Sequence, residues 1–176
     1  MKTIKDKQFV RLIDKESLER RIDELAAQID QDYQGKNPLF IGVLNGSFVF
    51  LAELFKRLSI PCEVSFVKVK SYDKMSSTGE VKELIGLAEN IEGRHVVIVE
   101  DIIDTGTTME AILPDFKKHQ PASLAMLTLL FKKSAFKGNF PIDYVGFEIE
   151  NLFVVGFGLD YDGLGRNDPE ILVVKD

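Results

Sequence analysis

The chain has 176 residues, of which 45% are hydrophobic and 28% are charged, and its formal net charge at pH 7 is −6. These values are typical of a single globular domain over residues 1–176, and they argue against a general binder of nucleic acids or membrane surfaces. The single cysteine, Cys62, excludes an internal disulfide framework and a cysteine-rich metal site. The first residues hold no apolar signal core and no run is long enough to span a bilayer, so we expect a cytoplasmic protein.

The first predicted element is a helix that begins near residue 14. Asp14 can act as its N-cap, and Ile13 and Leu18 can form a hydrophobic staple around that cap. Apolar residues then recur at helical spacing and give one face that can pack on a sheet, at Leu18, Ile22, Leu25, Ala26 and Ile29. Glycine, asparagine and proline between residues 35 and 38 end the segment.

Three strands are predicted before the middle of the chain. The apolar run Leu39–Leu44 predicts a buried parallel strand, which leads into the turn Asn45-Gly46-Ser47 and a helix over 48–58. This turn lies at the carboxyl end of the strand, where open α/β sheets bind ligands. A second strand is predicted over 62–72 and a return strand over 80–84. Taken alone, the polar residues between them are typical of a solvated hairpin loop.

The segment over 96–109 begins with a strand and continues with acids. Four β-branched residues predict a strand that is buried on both faces. Adjacent carboxylates, Glu100 and Asp101, stand at its end, and a third carboxylate, Asp104, follows. Acids in this position can accept hydrogen bonds from sugar hydroxyls, as an acid does in dinucleotide sites.

A loop of hydroxyl residues, Thr105-Gly106-Thr107-Thr108, comes directly after these acids. Thr107 and Glu110 have the spacing of a capping box, which predicts that a helix begins here. A helix N-terminus with free N–H groups, a glycine and three hydroxyls is a ready anion site. A sugar phosphate satisfies both the loop and the acids, because it carries a phosphate and polyol hydroxyls.

The last part of the chain predicts a helix break and further strands. Pro114 is expected to kink or interrupt the helix that follows the hydroxyl loop. A mostly apolar strand over Ser123–Phe131 ends at Lys132-Lys133, and such a pair more often marks a solvated edge than a site. A closing strand is predicted over Ile171–Val174. His95 and His119 are both expected to be structural.

The segment from Glu100 to Thr108 resembles the phosphoribosyl pyrophosphate signature of the type I phosphoribosyltransferases, in which paired acids are followed by Asp-Thr-Gly. The resemblance implies that Glu100 and Asp101 hold the ribose hydroxyls and a magnesium ion. Asp104 would take a proton from the purine ring as general base. The 5′-phosphate would bind to Asp104, Thr105, Gly106, Thr107 and Thr108.

Further segments resemble the pyrophosphate site and the lid of the same family. Leu44-Asn45-Gly46 resembles the first loop, whose backbone helps to hold pyrophosphate, and Arg166 would contact the same group. Many members have Lys where Asn45 stands, so this chain lacks a charge near the leaving group. The stretch over 71–80 resembles the mobile second loop, a lid that excludes water from the reacting centre. Its matching residues are Ser71, Tyr72, Ser77, Thr78 and Gly79.

The segments over 145–149 and 153–162 resemble the hood of the hypoxanthine-guanine branch of the family. The match implies that Phe153 stacks on the purine, that Val154 offers backbone groups to the base edge, and that Asp160 helps to hold magnesium. Lys132 matches the residue that donates to the 6-oxo oxygen, with Lys133 as the alternative. The implied purine site comprises Ile102, Lys132, Phe153, Val154 and Asp160.

The fold that this resemblance implies is α/β: a single domain with a flavodoxin-like parallel sheet of about five strands, flanking helices and a small hood. The implied reaction joins phosphoribosyl pyrophosphate to a 6-oxopurine through an oxocarbenium-like transition state, giving a purine nucleoside 5′-monophosphate and pyrophosphate. Mg²⁺ is the expected cofactor. The family is usually dimeric or tetrameric, so we expect a homo-oligomer.

The sequence also bears on several other functions. A P-loop enzyme and a dehydrogenase are excluded, because the chain lacks their glycine-rich motifs. A transferase for another base would keep the acidic motif but lack Lys132 and the hood over 153–155. A nucleotide-sensing regulator that binds RNA through the same fold is opposed by the acidic net charge. The preference among hypoxanthine, guanine and xanthine stays open.

Overall fold

The computed structural model describes residues 1–70 and 82–175, and these residues form two sheets and three helices. The helices are α1 (Lys15–Asp32), α2 (Phe48–Phe55) and α3 (Thr107–Lys118). The strands are β1 (Lys2–Ile4), β2 (Lys7–Ile13), β3 (Leu39–Leu44), β4 (Glu63–Lys70), β5 (Lys82–Ile85), β6 (His95–Ile103), β7 (Ser123–Phe131), β8 (Tyr144–Glu148), β9 (Val154–Val155) and β10 (Ile171–Val174).

The larger sheet has the spatial order β5-β4-β3-β6-β7-β8. Five of these strands, β3, β4, β6, β7 and β8, run parallel, and β5 pairs antiparallel with β4 at one edge. Numbered along the chain, the parallel strands follow the flavodoxin-like order 2-1-3-4-5, whose switch point lies between β3 and β6. The predicted parallel sheet of about five strands is confirmed.

The central strand β6 is buried on both faces of the sheet, and its apolar side chains point alternately into two core clusters. Val97 and Val99 belong to the core cluster that contains α1 and α2. Val96 and Ile98 belong to the second cluster, which contains Met109, Leu113 and Phe116 of α3. Since side chains along a strand point to opposite faces, α1 and α2 cover one face of the sheet and α3 covers the other. Helices on both faces were predicted.

The second sheet is antiparallel, has the order β1-β2-β10-β9 and forms the hood. The hairpin of β1 and β2 was not predicted from the sequence, and the predicted closing strand β10 lies in this sheet between β2 and β9. The assignment of 145–149 to the hood is wrong. Most of that segment belongs to β8, which pairs parallel with β7 in the larger sheet.

The helix ends agree in part with the local signals in the sequence. Asp14 caps α1, since its Oδ1 accepts a hydrogen bond from the Ser17 N–H at 2.8 Å. Pro114 was expected to kink or interrupt α3; the interruption does not occur, and α3 continues through it to Lys118. Leu113 and Phe116 on either side of the proline are buried in the core, and this packing outweighs the lost backbone hydrogen bond.

The predicted lid over 71–80 lies outside the part of the chain that the structure describes. Among the helices of residues 1–70 and 82–175, none combines the length and the apolar character that a membrane crossing requires.

Candidate active site

The hydroxyl loop Thr105-Gly106-Thr107-Thr108, called the phosphate loop below because it is predicted to bind phosphate, lies at the carboxyl end of β6, where β6 leads into α3. Gly106 is the N-cap residue and has a left-handed backbone with φ of 88°, a conformation that favours glycine. Around this turn lies a cleft of about 230 Å³ lined by Glu100, Ile102, Ile103, Asp104, Thr105, Gly106, Thr107, Thr108 and Met109. The cleft therefore brings one of the paired acids, Glu100, together with the whole hydroxyl loop.

The predicted capping box at the start of α3 is wrong, although the helix does begin at Thr107. The Thr107 hydroxyl pairs with the Thr105 hydroxyl at 2.9 Å. The Glu110 carboxylate accepts a hydrogen bond from the Asn139 N–H at 3.1 Å and so serves a different loop. The Thr107 N–H donates to the Thr105 hydroxyl at 3.4 Å. The residues that carry the hydroxyls and the first N–H groups of α3 line the cleft, so these groups can act as hydrogen-bond donors for an anion.

The turn after β3 packs directly against the acidic pair. A methyl group on Gly46 would lie only 1.6 Å from Asp101 Oδ2, and one on Gly158 would lie 2.1 Å from the Gly46 carbonyl oxygen. The Leu44–Asn45 peptide bond is cis, and the Asn45 side chain is exposed. The predicted pyrophosphate loop therefore contacts both the acids of β6 and the hood.

Glu100 and Asp101 form an electrostatically unfavourable pair. Burial raises the pKa of Asp101 to about 6, although the Ile102 N–H donates a hydrogen bond to its Oδ1 at 2.8 Å. Burial and the neighbouring Asp101 carboxylate raise the pKa of Glu100 well above its usual range. A cation or a set of hydroxyl donors at this place would offset the cost of ionising both groups.

Asp101→Asn is expected to stabilise the ligand-free protein above pH 6. The folded-state pKa of Asp101, about 6, lies above its ordinary value of 3.8, so its contribution to stability is complete below pH 3.8 and is lost as the pH rises through 6. Asparagine mimics the protonated form, and the gain in free energy of unfolding above pH 6 should be on the order of 2 kcal/mol. Thermal unfolding between pH 4 and pH 8 measures it.

The matched control for this stability prediction is Asp14→Asn. Hydrogen bonds from Ser17 lower the pKa of Asp14, which is a perturbation of the opposite sign, and asparagine still caps a helix. Asp14→Asn should therefore not raise the unfolding temperature above pH 6. An Asp101→Asn protein that is less stable than wild type at pH 7.5 would contradict the assignment.

A second cleft adjoins the first on the side of the hood. It has a volume of about 270 Å³ and is lined by Asp101, Ile102, Asp104, Lys132, Phe153, Val154, Leu159 and Asp160. All five residues of the predicted purine site line it. Ile102 and Asp104 line both clefts, so Asp104 stands between the hydroxyl loop and the cleft of the predicted purine site, called the purine cleft below.

Asp104 and Lys132 form an ion pair across this boundary. The Lys132 Nζ donates to Asp104 Oδ2 at 2.7 Å, and the Lys132 side chain is buried whereas that of Asp104 is 45% exposed. Lys133 instead pairs with Glu148 at the surface, at 3.3 Å. Of the two lysines, it is therefore Lys132 that lies in the cleft.

Asp160 and Arg166 form a further ion pair beside the cleft. Arg166 Nη2 lies 2.6 Å from Asp160 Oδ1, and Arg166 Nη1 donates to the Gly158 carbonyl oxygen at 2.7 Å. Asp160 also accepts the Gly163 N–H at 2.7 Å. These contacts hold Arg166 next to the turn that carries Gly46.

The carboxyl pair of β6 fits a magnesium ion that is shared with a substrate. Within residues 1–70 and 82–175, no group of three or more His, Cys, Asp or Glu residues has the arrangement of a metal site. Magnesium commonly binds through one or two carboxylates and completes its shell with substrate phosphates and water. Glu100 and Asp101 supply two such carboxylates, whereas Asp160 is engaged with Arg166. The ligand roles of all three residues stay predictions.

Four residues around the site were not predicted from the sequence. Ile103 and Met109 line the first cleft, Leu159 lines the second, and Gly158 allows the hood to approach the Gly46 carbonyl. Gly158 could have been found, because a glycine within an apolar strand-like segment often marks a place where another backbone approaches closely. No local pattern distinguishes Leu159 from an ordinary core leucine.

Comparison with known proteins agrees with this geometry. The family described as phosphoribosyl transferase domain matches residues 11–162. The hypoxanthine-guanine phosphoribosyltransferase of Bacillus subtilis is 41% identical over 165 residues, which cover 93% of this chain and 92% of that protein. The hypoxanthine-guanine-xanthine phosphoribosyltransferase of Tritrichomonas foetus is also 41% identical and covers 94% of this chain and 91% of its own length.

A solved structure shares the whole architecture. The hypoxanthine phosphoribosyltransferase of Trypanosoma cruzi, in complex with the product IMP, is 36% identical with a TM-score of 0.89, and the match covers 99% of this chain and 98% of that one. The resemblance first drawn from Glu100–Thr108 is thus confirmed over nearly the full length. The chain belongs to the phosphoribosyltransferase family.

Proposed function

We propose that this protein transfers the phosphoribosyl group of phosphoribosyl pyrophosphate to a 6-oxopurine and so serves purine salvage. The observation that carries the proposal is the position of Asp104, which lines both the phosphate-loop cleft and the purine cleft. Relatives named for hypoxanthine and guanine transfer, at about 41% identity, support this substrate class. The alternatives of an RNA-binding regulator and of a transferase for another base have no such support.

The 5′-phosphate of the sugar would bind to the phosphate loop. Its oxygens would accept hydrogen bonds from the N-terminal N–H groups of α3 and from the threonine hydroxyls. The ribose hydroxyls would donate to the buried acids, Glu100 and Asp101, which lowers the cost of their ionised forms. The leaving pyrophosphate would face the Leu44-Asn45-Gly46 turn and Arg166. Gly158 supports this arrangement, because it packs on the Gly46 carbonyl and accepts a hydrogen bond from Arg166.

The purine would occupy the hood-side cleft. Its ring would stack on Phe153, which is 46% exposed although aromatic, and its 6-oxo oxygen would accept a hydrogen bond from Lys132. As the bond from the anomeric carbon to pyrophosphate breaks, its electron pair leaves with pyrophosphate and a purine ring nitrogen attacks that carbon. Asp104 would accept the proton released from the ring.

The Lys132 ammonium has three N–H donors, so it can donate to the purine oxygen while it stays beside Asp104. The same lysine would therefore hold the base next to the Asp104 carboxylate. A magnesium ion held by Glu100 and Asp101 would stabilise the charge of the departing pyrophosphate. Homo-oligomeric assembly and a cytoplasmic location stay predictions.

The test is a magnesium-dependent assay with phosphoribosyl pyrophosphate and each of five bases: hypoxanthine, guanine, xanthine, adenine and uracil. Turnover of 6-oxopurines supports the proposal and ranks the bases. Turnover of adenine or uracil alone would overturn the purine-site assignment. Tight nucleotide binding without any turnover would favour the regulator.

Phe153→Leu is expected to raise the KM for the purine by about 5- to 100-fold, because stacking on an aromatic ring contributes about 1–3 kcal/mol per base. The KM for phosphoribosyl pyrophosphate should change little, since its loop lies on the other side of Asp104. Initial rates with each substrate varied in turn measure both constants. Equal changes in the two KM values would contradict the stacking role.

A further inference from the structure

Three aromatic rings pack together behind the purine cleft. The Tyr161 ring lies 5.7 Å from the Phe153 ring at an interplanar angle of 83°, an edge-to-face arrangement. Phe9, which is fully buried in β2, lies 6.4 Å from Phe153 and 6.2 Å from Tyr161. The half-exposed Phe153 is therefore held from behind by a buried ring and by a second ring from the hood.

The hairpin of β1 and β2 holds Tyr161 in turn. The Tyr161 hydroxyl donates to Asp6 Oδ1 at 2.8 Å, and the Lys7 ammonium lies 5.8 Å from the centre of the Tyr161 ring. Lys5 forms an ion pair with Asp162, the next residue along the hood. Three successive residues of the hairpin thus contact the Tyr161-Asp162 segment.

The backbone of Phe153 is fixed separately. Its carbonyl oxygen accepts a hydrogen bond from the Val174 N–H at 3.1 Å, which ties it to β10. With its backbone held by β10, the remaining freedom of Phe153 is the orientation of its ring. Tyr161 and Phe9 restrict that orientation, and an aromatic pair of this geometry favours one ring position over others.

We propose that Tyr161 is a positioning residue for purine binding: fixed by Asp6 and Lys7 of the hairpin, it orients the Phe153 ring that stacks on the base. The proposal rests on the proposed function and adds to it that the N-terminal hairpin tunes the affinity for the purine. Tyr161 does not line the cleft, so it acts only through Phe153.

The first variant to test is Tyr161→Leu. It should raise the KM for hypoxanthine by about three- to tenfold, the factor that corresponds to an aromatic pair, and leave the KM for phosphoribosyl pyrophosphate and kcat within about twofold. Tyr144→Leu is the matched control, because Tyr144 also donates its hydroxyl to an aspartate, Asp32, at 2.7 Å but lies away from the cleft. The control should lose thermal stability without this KM change.

A second pair of variants tests the hairpin without removing a ring. Asp6→Ala removes the acceptor of the Tyr161 hydroxyl at an exposed position, so the protein should still fold, and it should raise the purine KM by about twofold. Asp6→Asn keeps an acceptor oxygen and should restore the wild-type KM. Tyr161→Phe should match Asp6→Ala, since both lose the same hydrogen bond.

The outcomes separate the two proposals. If the wild-type protein turns over no purine, the proposed function fails. If the wild-type protein does turn over a purine, but Tyr161→Leu changes the KM for hypoxanthine and the KM for phosphoribosyl pyrophosphate equally, or changes neither, the positioning role is overturned. Should Tyr161→Leu not fold, the Asp6 pair decides: an unchanged purine KM in Asp6→Ala overturns the proposal.

Discussion

Asp104→Asn is expected to lower kcat by about 10²–10⁴, the usual contribution of a general base. Asparagine preserves the shape of the side chain but cannot accept a proton from the purine. The purine should still bind, because Phe153 and Lys132, which also line the cleft, keep their side chains in this variant. Single-turnover rates with hypoxanthine, together with the KM values for both substrates, measure the effect.

The control for this prediction is Asp115→Asn. Asp115 is a partly exposed acid in the helix that follows the phosphate loop, and its neighbours are Lys118 and His119 at the surface. Its replacement should leave kcat unchanged. Asp104→Asn also leaves the buried Lys132 ammonium without its charged partner, so thermal unfolding must accompany the kinetics. A folded Asp104→Asn protein with kcat within threefold of wild type would rule out Asp104 as the base.

Gly46→Ala is expected to lower kcat/KM for phosphoribosyl pyrophosphate by about 100-fold. The added methyl group would lie 1.6 Å from Asp101 Oδ2, so either the turn or the carboxylate must move by more than 1 Å. A displacement of that size in groups that position a reacting substrate commonly costs about 10²-fold in rate. Steady-state kinetics with phosphoribosyl pyrophosphate varied at saturating purine measure the loss.

Gly93→Ala is the matched control for this substitution. Gly93 has a left-handed backbone with φ of 68°, and a methyl group there would have no neighbour within 4 Å. The control should lose about 1 kcal/mol of stability from backbone strain but keep its kinetic constants. If Gly46→Ala also keeps its constants, the turn after β3 does not contribute to substrate binding.

The residues of the central motif could be predicted because they are neighbours in the sequence. Glu100 and Asp101 lie in the last part of β6 and Asp104 directly follows it, so placing that strand places all three acids at the carboxyl end of the sheet. The same applies to Ser123–Phe131, whose apolar run ends where Lys132 enters the cleft. In these segments local pattern and tertiary position agree.

The β1–β2 hairpin of the hood could not be predicted in the same way. In β2 only Phe9 is fully buried, and Leu12 is exposed, so the alternation that indicates a strand is weak. The contact of Gly158 with the Gly46 carbonyl joins distant parts of the chain, and no spacing within either segment encodes it. The prediction of a capping box was wrong because the Glu110 carboxylate instead accepts a hydrogen bond from the Asn139 N–H, a partner that only the folded chain brings near.

The pairing of β2 with β10 has a consequence for the order of folding. Ile13 pairs with Ile171, and Phe9 pairs with Val174, so nearly the whole chain separates the two strands. Bringing such distant segments together is slow, and during synthesis the residues of β10 are made only after all residues of the parallel sheet. We therefore expect the parallel sheet and the phosphate loop to form first. The Phe153 ring, which would stack on the base, should become ordered last.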